Sequence, residues 1–174
     1  MLVAGTMIVL VLAIGATGYA VIEKRPHYGI YYGLAKLTGS RLPIDPVDWA
    51  TLTRSPTPND ALICPAGHCP RAQADREPPV YSLEPSALLA RLRETVRAEA
   101  HTVELPSPGG DRTARFIQYT PLMRYPDTID IAVLPADGSA AGGTTLALYS
   151  RSLIGRGDFG VNRARLERWL AALG

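Results

Sequence analysis

From Met1 to Ile22 the chain carries no ionisable side chain, and this run, MLVAGTMIVLVLAIGATGYAVI, constrains what can follow more than any other feature. As a helix it extends roughly 30 Å, the thickness of a bilayer's hydrocarbon core. The run stops at Glu23-Lys24-Arg25, and Tyr19, Tyr28, Tyr31 and Tyr32 gather at that boundary, where amphipathic rings settle among lipid headgroups. The expectation is one transmembrane helix from Leu2 to Ile22 that holds the protein to the lipid of an inner membrane. A cleaved signal peptide is the rival reading, since Gly18-Tyr19-Ala20 has the small-x-small form. The run lacks the positive n-region of a signal peptide and exceeds its usual apolar length. A buried core helix is the third reading, and a lipoprotein is excluded because no Cys follows the run.

Two signals oppose each other on orientation. Lys24, Arg25, Lys36 and Arg41 follow the apolar run and favour a cytoplasmic domain by the positive-inside rule. Cys64 and Cys69 favour the periplasmic or exported side, and that side is preferred.

The chain divides into an anchor over residues 1–25, a juxtamembrane linker over 26–59 and a folded domain over 60–174. Tyr31, Leu34, Ala35 and Leu37 make at most one short interfacial helix, ended by Gly39. Pro43, Pro46, Pro56 and Pro58 then forbid regular helix or a central strand. This stretch reads as a semi-extended spacer, with docking of Trp49 on the domain as the alternative. A net charge of +2 from 18 basic and 16 acidic residues excludes the basic stripe of a nucleic-acid binder.

Within 60–174 an irregular stretch carrying the cysteines leads to a helix. Pro85 fits its first turn, and Leu88, Leu89, Leu92 and Val96 fall on one face. Strand signals follow at His101–Leu105, Arg112–Thr120, Thr128–Leu134 and Thr144–Ser150. Ile129, Ile131 and Val133 alternate with Asp130 and Ala132, so one sheet face is expected to be covered and the other wetter. Short Gly-rich connections suit antiparallel neighbours. Leu166, Trp169, Leu170 and Leu173 mark a closing helix. The fold class is therefore α+β: a transmembrane helix followed by an antiparallel sheet of about four strands packed by two helices.

Cys64-Pro-Ala-Gly-His-Cys69, Asp75 ahead of Pro78 and Val80-Tyr81, Tyr125-Pro126-Asp127 before a strand, and above all the segment from Ser150 to Arg165 resemble the domain-of-unknown-function family numbered 1499. Leu153 departs from the polar residue, often Arg, expected there. The resemblance implies a membrane-anchored, bacterial-type envelope domain, often behind a signal or membrane segment, and brings no reaction with it.

Gly155, Gly157 and Gly160 spell a GxGxxG pattern between a strand and a helix. A dinucleotide fold needs a second parallel strand and an acidic residue about 20 positions on, and the sequence given stops at Gly174. The same segment supports two milder readings. In one, Arg151, Arg156 and Arg163 hold an anion at the last helix's start, beside Asp127, Asp158 and Asn162. In the other, Asp158 or Asn162 caps that helix while Arg151, Arg156 or Arg165 pairs with Asp127 or Asp158 and fastens the loop to the sheet. Fastening is the favoured reading. The Arg156-Gly157-Asp158 tripeptide is a chance match to an adhesion motif.

Cys64 and Cys69 enclose a tiny loop and form a disulfide staple in an oxidising compartment; free thiols, a metal site and redox catalysis are weaker alternatives. The chain holds only His27, His68 and His101, too few for a standard zinc set, so no metal and no cofactor is expected. Three functions compete. The first is a non-enzymatic envelope domain that binds a protein partner, or an apolar ligand between sheet and helices. The second is an enzyme or anion-binding site on the Ser150–Arg165 loop. The third is a structural role, in which the domain only positions the tether or a partner complex.

Overall fold

A computed structural model describes residues 28–37, 39, 42–136 and 143–174. They fall into two units, one ending at Leu42 and one running from Pro43 to Gly174. In the first unit, helix α1 spans Tyr28–Leu37 and stops ahead of Gly39, whose φ of +71° favours a residue without a Cβ.

In the second unit the alternating segments form one antiparallel sheet. Its strands are β1 (Asp60–Ile63), β2 (Thr102–Leu105), β3 (Thr113–Tyr119), β4 (Pro126–Ala136) and β5 (Gly143–Ser152), ordered β1-β5-β4-β3-β2. Helices α2 (Pro85–Arg97) and α3 (Val161–Leu173) cover one face. In α2, Pro85 occupies the first turn, where its missing N–H costs nothing. Its Leu88, Leu89, Leu92 and Val96 are buried against Phe116, Ile129, Ile131 and Leu148. Helix α3 adds Leu166, Trp169, Leu170 and Leu173 to the same core. Glu104 of edge strand β2 receives Arg93 at 3.0 Å and Arg97 at 2.6 Å, which fastens α2 over that edge.

The expected architecture is corrected in three respects. The described residues contain five strands rather than about four, and three α-helices, and none of these helices is long and apolar enough to cross a membrane. The expected helix over Leu2–Ile22 lies outside the described residues. The additional strand is β1, read from sequence as irregular: four residues are too few to display a period. Its pairing partners lie far along the chain, with Asp60 opposite Arg151 and Ile63 opposite Leu148.

The third correction concerns the sheet's second face. The strand from Pro126 to Val133 is buried at every position, so both faces are covered. Val47, Trp49 and Leu52 pack there with Leu62, Ala132, Ala147, Tyr149 and the two cysteines. Arg115 bridges Asp130 at 2.6 Å and donates to the Ile44 carbonyl at 2.6 Å. Residues from Pro43 onward thus lie along the sheet as a strap, secured by arginines that reach its carbonyls.

Candidate functional site

Strand parity sorts the polar residues of the Ser150–Arg165 segment onto different sides of the sheet. Ser150 stands opposite Ile129 and faces the helices, whereas Arg151 stands opposite Thr128 and points to the strap. Arg151 donates to Thr128 Oγ1 at 3.3 Å and to the carbonyls of Pro43 and Asp45, with its guanidinium 5.7 Å from the Tyr149 ring centre. It has no access to the start of α3.

On the helix face Asp127 and Asn162 are brought together around Arg165. Arg165 bridges Asp127 at 2.7 Å, and the two side chains keep only 3% and 4% exposure. The remaining nitrogens of Arg165 donate to Gln118 Oε1 at 2.6 Å, Ser150 Oγ at 2.7 Å and Asn162 Oδ1 at 2.6 Å. Asn162 Nδ2 donates in turn to the Asn59 carbonyl, Ser152 Oγ and Asp158 Oδ2. Asp158 accepts the Gly160 N–H at 2.9 Å and the Asn162 N–H at 3.0 Å, which satisfies a first-turn N–H of α3 from ahead of its N-cap residue, Gly160. Asp127, Ser150, Asn162 and Arg165 all find partners within this cluster, which ties α3 to β3, β4, β5 and the residues before β1.

Beside this cluster lies an open surface groove of about 550 Å³, lined in part by Pro58, Gly157 and Gly160. Its charged lining is Arg54, Asp60, Asp75, Asp158 and Arg163. Arg54 bridges Asp60 at 2.7 Å and Asp75 at 3.2 Å, and Arg163 bridges Asp75 at 3.2 Å. Burial alone raises the Asp60 carboxyl, but hydrogen bonds from Arg54, the Ser55 N–H and Tyr149, with the Arg54 charge, outweigh it and hold Asp60 below its ordinary value. Arg156, just before Gly157, does not line the groove; it is exposed and has no partner among the described residues.

Phe159 stands at the groove's rim. It is fully exposed, its backbone is left-handed at φ +54°, and the following Val161 is half-exposed. An aromatic residue in that conformation costs about 1 kcal/mol, and here it gains no burial in return. Sequence reasoning passed over Phe159, although a lone aromatic inside Gly157-Asp-Phe-Gly160 was a readable signal. It also left out Arg54, Asp60 and Gln118, whose roles depend on contacts distant in sequence.

Cys64 and Cys69 form a disulfide, and both residues are buried. Their loop borders a second surface groove, of about 590 Å³, with His68, Glu77, Val80 and Leu134. Burial lowers the His68 pKa, and its Nε2 has no partner among the described residues. Between sheet and helices Leu88, Leu92, Phe116, Ile129, Leu148 and Trp169 are fully buried in one contiguous cluster. No group of His, Cys, Asp and Glu among the described residues has the arrangement of a metal site.

A family model described as protein of unknown function (DUF1499) matches residues 48–173. No curated protein and no solved structure matches the chain.

Proposed function

We propose that this chain, which belongs to the DUF1499 family of proteins of unknown function, is a non-enzymatic docking domain that binds a protein partner through the groove beside Phe159. The observation that carries this reading is Phe159 itself: a large apolar side chain, fully exposed and held in a disfavoured backbone conformation. Strain retained at a residue that adds nothing to its own core supports a role for it in contact with another molecule. Burying one Phe at an interface is worth roughly 1.5–3 kcal/mol, enough to anchor a small contact.

The polar residues nearby support binding over catalysis, because the carboxylates of Asp127 and Asp158 and the amide of Asn162 are engaged inside the chain. An apolar ligand between sheet and helices is disfavoured by the packing there. The Cys64–Cys69 disulfide supports an oxidising, exported compartment for the domain.

The test is site-specific photocrosslinking in intact cells, with a benzophenone amino acid at position 159 of the full chain and a control at Leu122, also well exposed. The reading predicts a discrete protein adduct from position 159 and none from 122. No adduct from 159, or the same smear from both sites, overturns it.

A further inference from the structure

The strap over the second sheet face is lightly anchored, and part of its apolar seat is the loop closed by the Cys64–Cys69 disulfide. Among the described residues, 43–52 pair with no strand. The carbonyls of Pro43, Ile44 and Asp45 accept from Arg151 and Arg115, and the remaining hold is the packing of Val47, Trp49 and Leu52. Of these three only Leu52 is buried, while Val47 and Trp49 stay partly exposed. A segment with so few buried contacts opens locally while the core stays closed.

The seat contains both cysteines, with Ala72 and Ala74 packed beside them. Within the disulfide loop the His68 ring lies 5.8 Å from the Trp49 ring of the strap. His68 Nε2 is buried without a partner among the described residues, so no hydrogen bond from that atom fixes the ring. Its place depends on the loop. The His68 N–H meets the Pro65 carbonyl at 3.2 Å, and the disulfide ties the next residue, Cys69, to Cys64 at the end of β1. A cleft of about 240 Å³ is lined by both cysteines together with Gly67, Arg76 and Glu77. Cys69 is the more accessible of the pair, at 7% exposure against 2%.

We propose that the Cys64–Cys69 disulfide is a redox latch for the strap. Oxidised, it holds His68 against Trp49 and keeps the strap seated; reduced, it frees the loop and lets residues 43–52 lift from the sheet. The reductant is a dithiol. One of its thiolates attacks Cys69 Sγ, the bond between the cysteines breaks, and Cys64 leaves as a thiolate that takes a proton from solvent. The reductant's second thiolate then attacks its own sulfur in the mixed disulfide, which closes the reductant's disulfide and releases Cys69, protonated in the same way. Two electrons and two protons thus move from the dithiol to the cysteine pair. Lifting the strap uncovers Leu62, Ala147 and Tyr149, all fully buried in the closed form, and the Arg115–Asp130 pair beside them. The helix-covered face and Phe159 take no part.

The experiment has two arms, both on the full-length protein. The first measures acrylamide quenching of tryptophan fluorescence before and after reduction with dithiothreitol, with circular dichroism in parallel. The chain has two tryptophans, and Trp169 has no exposed surface, so a change in quenching reports Trp49. The expected result is a rise of about twofold in the quenching constant with the helical signal retained. The second arm titrates the disulfide in buffers of reduced and oxidised dithiothreitol. Coupling between two equilibria is reciprocal, so Trp49→Ala, which loosens the strap directly, should favour reduction by about tenfold in the equilibrium constant. Val96→Ala, buried on the helix face, should leave that constant unchanged.

Unchanged quenching on reduction overturns the latch. Loss of the helical signal on reduction overturns it as well, because the bond then staples the whole domain. The same follows if no dithiol concentration reduces the folded protein. Equal equilibrium constants for wild type and Trp49→Ala, or an equal shift in Val96→Ala, show that the strap and the disulfide are not coupled and also overturn the proposal.

Discussion

Asp127→Asn isolates the charge at the centre of the buried cluster while keeping the side chain's shape. In the wild type the carboxylate lies 2.7 Å from Arg165, and neither side chain exposes more than 4% of its surface. Removing one partner of a buried pair costs about 3–5 kcal/mol, chiefly because the other charge is left uncompensated. Asn retains a neutral acceptor for Arg165, which places the expected loss near the lower end, about 3 kcal/mol. The unit from Pro43 to Gly174 contains 174 − 43 + 1 = 132 residues. At about 2.1 cal/mol/K per residue its unfolding entropy is about 0.28 kcal/mol/K, so the loss lowers Tm by roughly 11 °C.

Thermal melting followed by circular dichroism measures this shift. The double variant Asp127→Leu with Arg165→Met should recover at least half of it, because no charge is then left buried without its partner. A shift below about 3 °C for Asp127→Asn refutes the structural assignment of the cluster, as does a double variant no better than the single one.

Three further outcomes follow from the same contacts. Replacing Cys64 and Cys69 by Ser opens a short loop and should cost about 2 kcal/mol, read as a Tm fall of roughly 7 °C that reductant reproduces in the wild type. Asp60 and Glu99 are both held below their ordinary values, against the upward push of burial, by their hydrogen bonds and the adjacent arginines. Their contribution is complete above the unfolded carboxylate pKa of about 4 and is lost as pH falls through the lower folded values, so Asp60→Asn should flatten the acid limb of a Tm-against-pH curve. Leu92→Ala, at a position with no exposed surface, should lower stability by about 2–5 kcal/mol in denaturant melts without touching the groove.

How much of this was legible in the sequence depends on the range of the signal. Helices α2 and α3 and strands β2 to β5 follow from local periodicity, and their buried leucines are those the pattern marks. β1 and the strap over the second sheet face carry no period. They are fixed by pairing with Arg151 and Leu148 and by arginines that reach backbone carbonyls some 70 to 110 residues away in sequence. Asp130 looked solvent-facing because it alternates with isoleucines, yet the strap buries it against Arg115.

Within the polar segment, strand parity separates Arg151 from Asn162 and Arg165. Their common stretch of sequence therefore suggested a single site where the fold makes two sets of internal fastenings and one open groove. Of the two caps expected, Asp158 or Asn162, neither is the N-cap residue, which is Gly160; Asp158 reaches the helix's first turn from two residues ahead of it.

The proposed role of Phe159, serving another molecule and not its own fold, is tested most directly by the melting temperature of full-length Phe159→Gly. Glycine relieves about 1 kcal/mol of left-handed backbone cost and gives back roughly 0.5–1 kcal/mol through the freer unfolded chain. With no packing to lose, the predicted Tm lies within about 2 °C of wild type or above it. A fall of more than about 5 °C would show that Phe159 supports the domain's own structure and would contradict the claim.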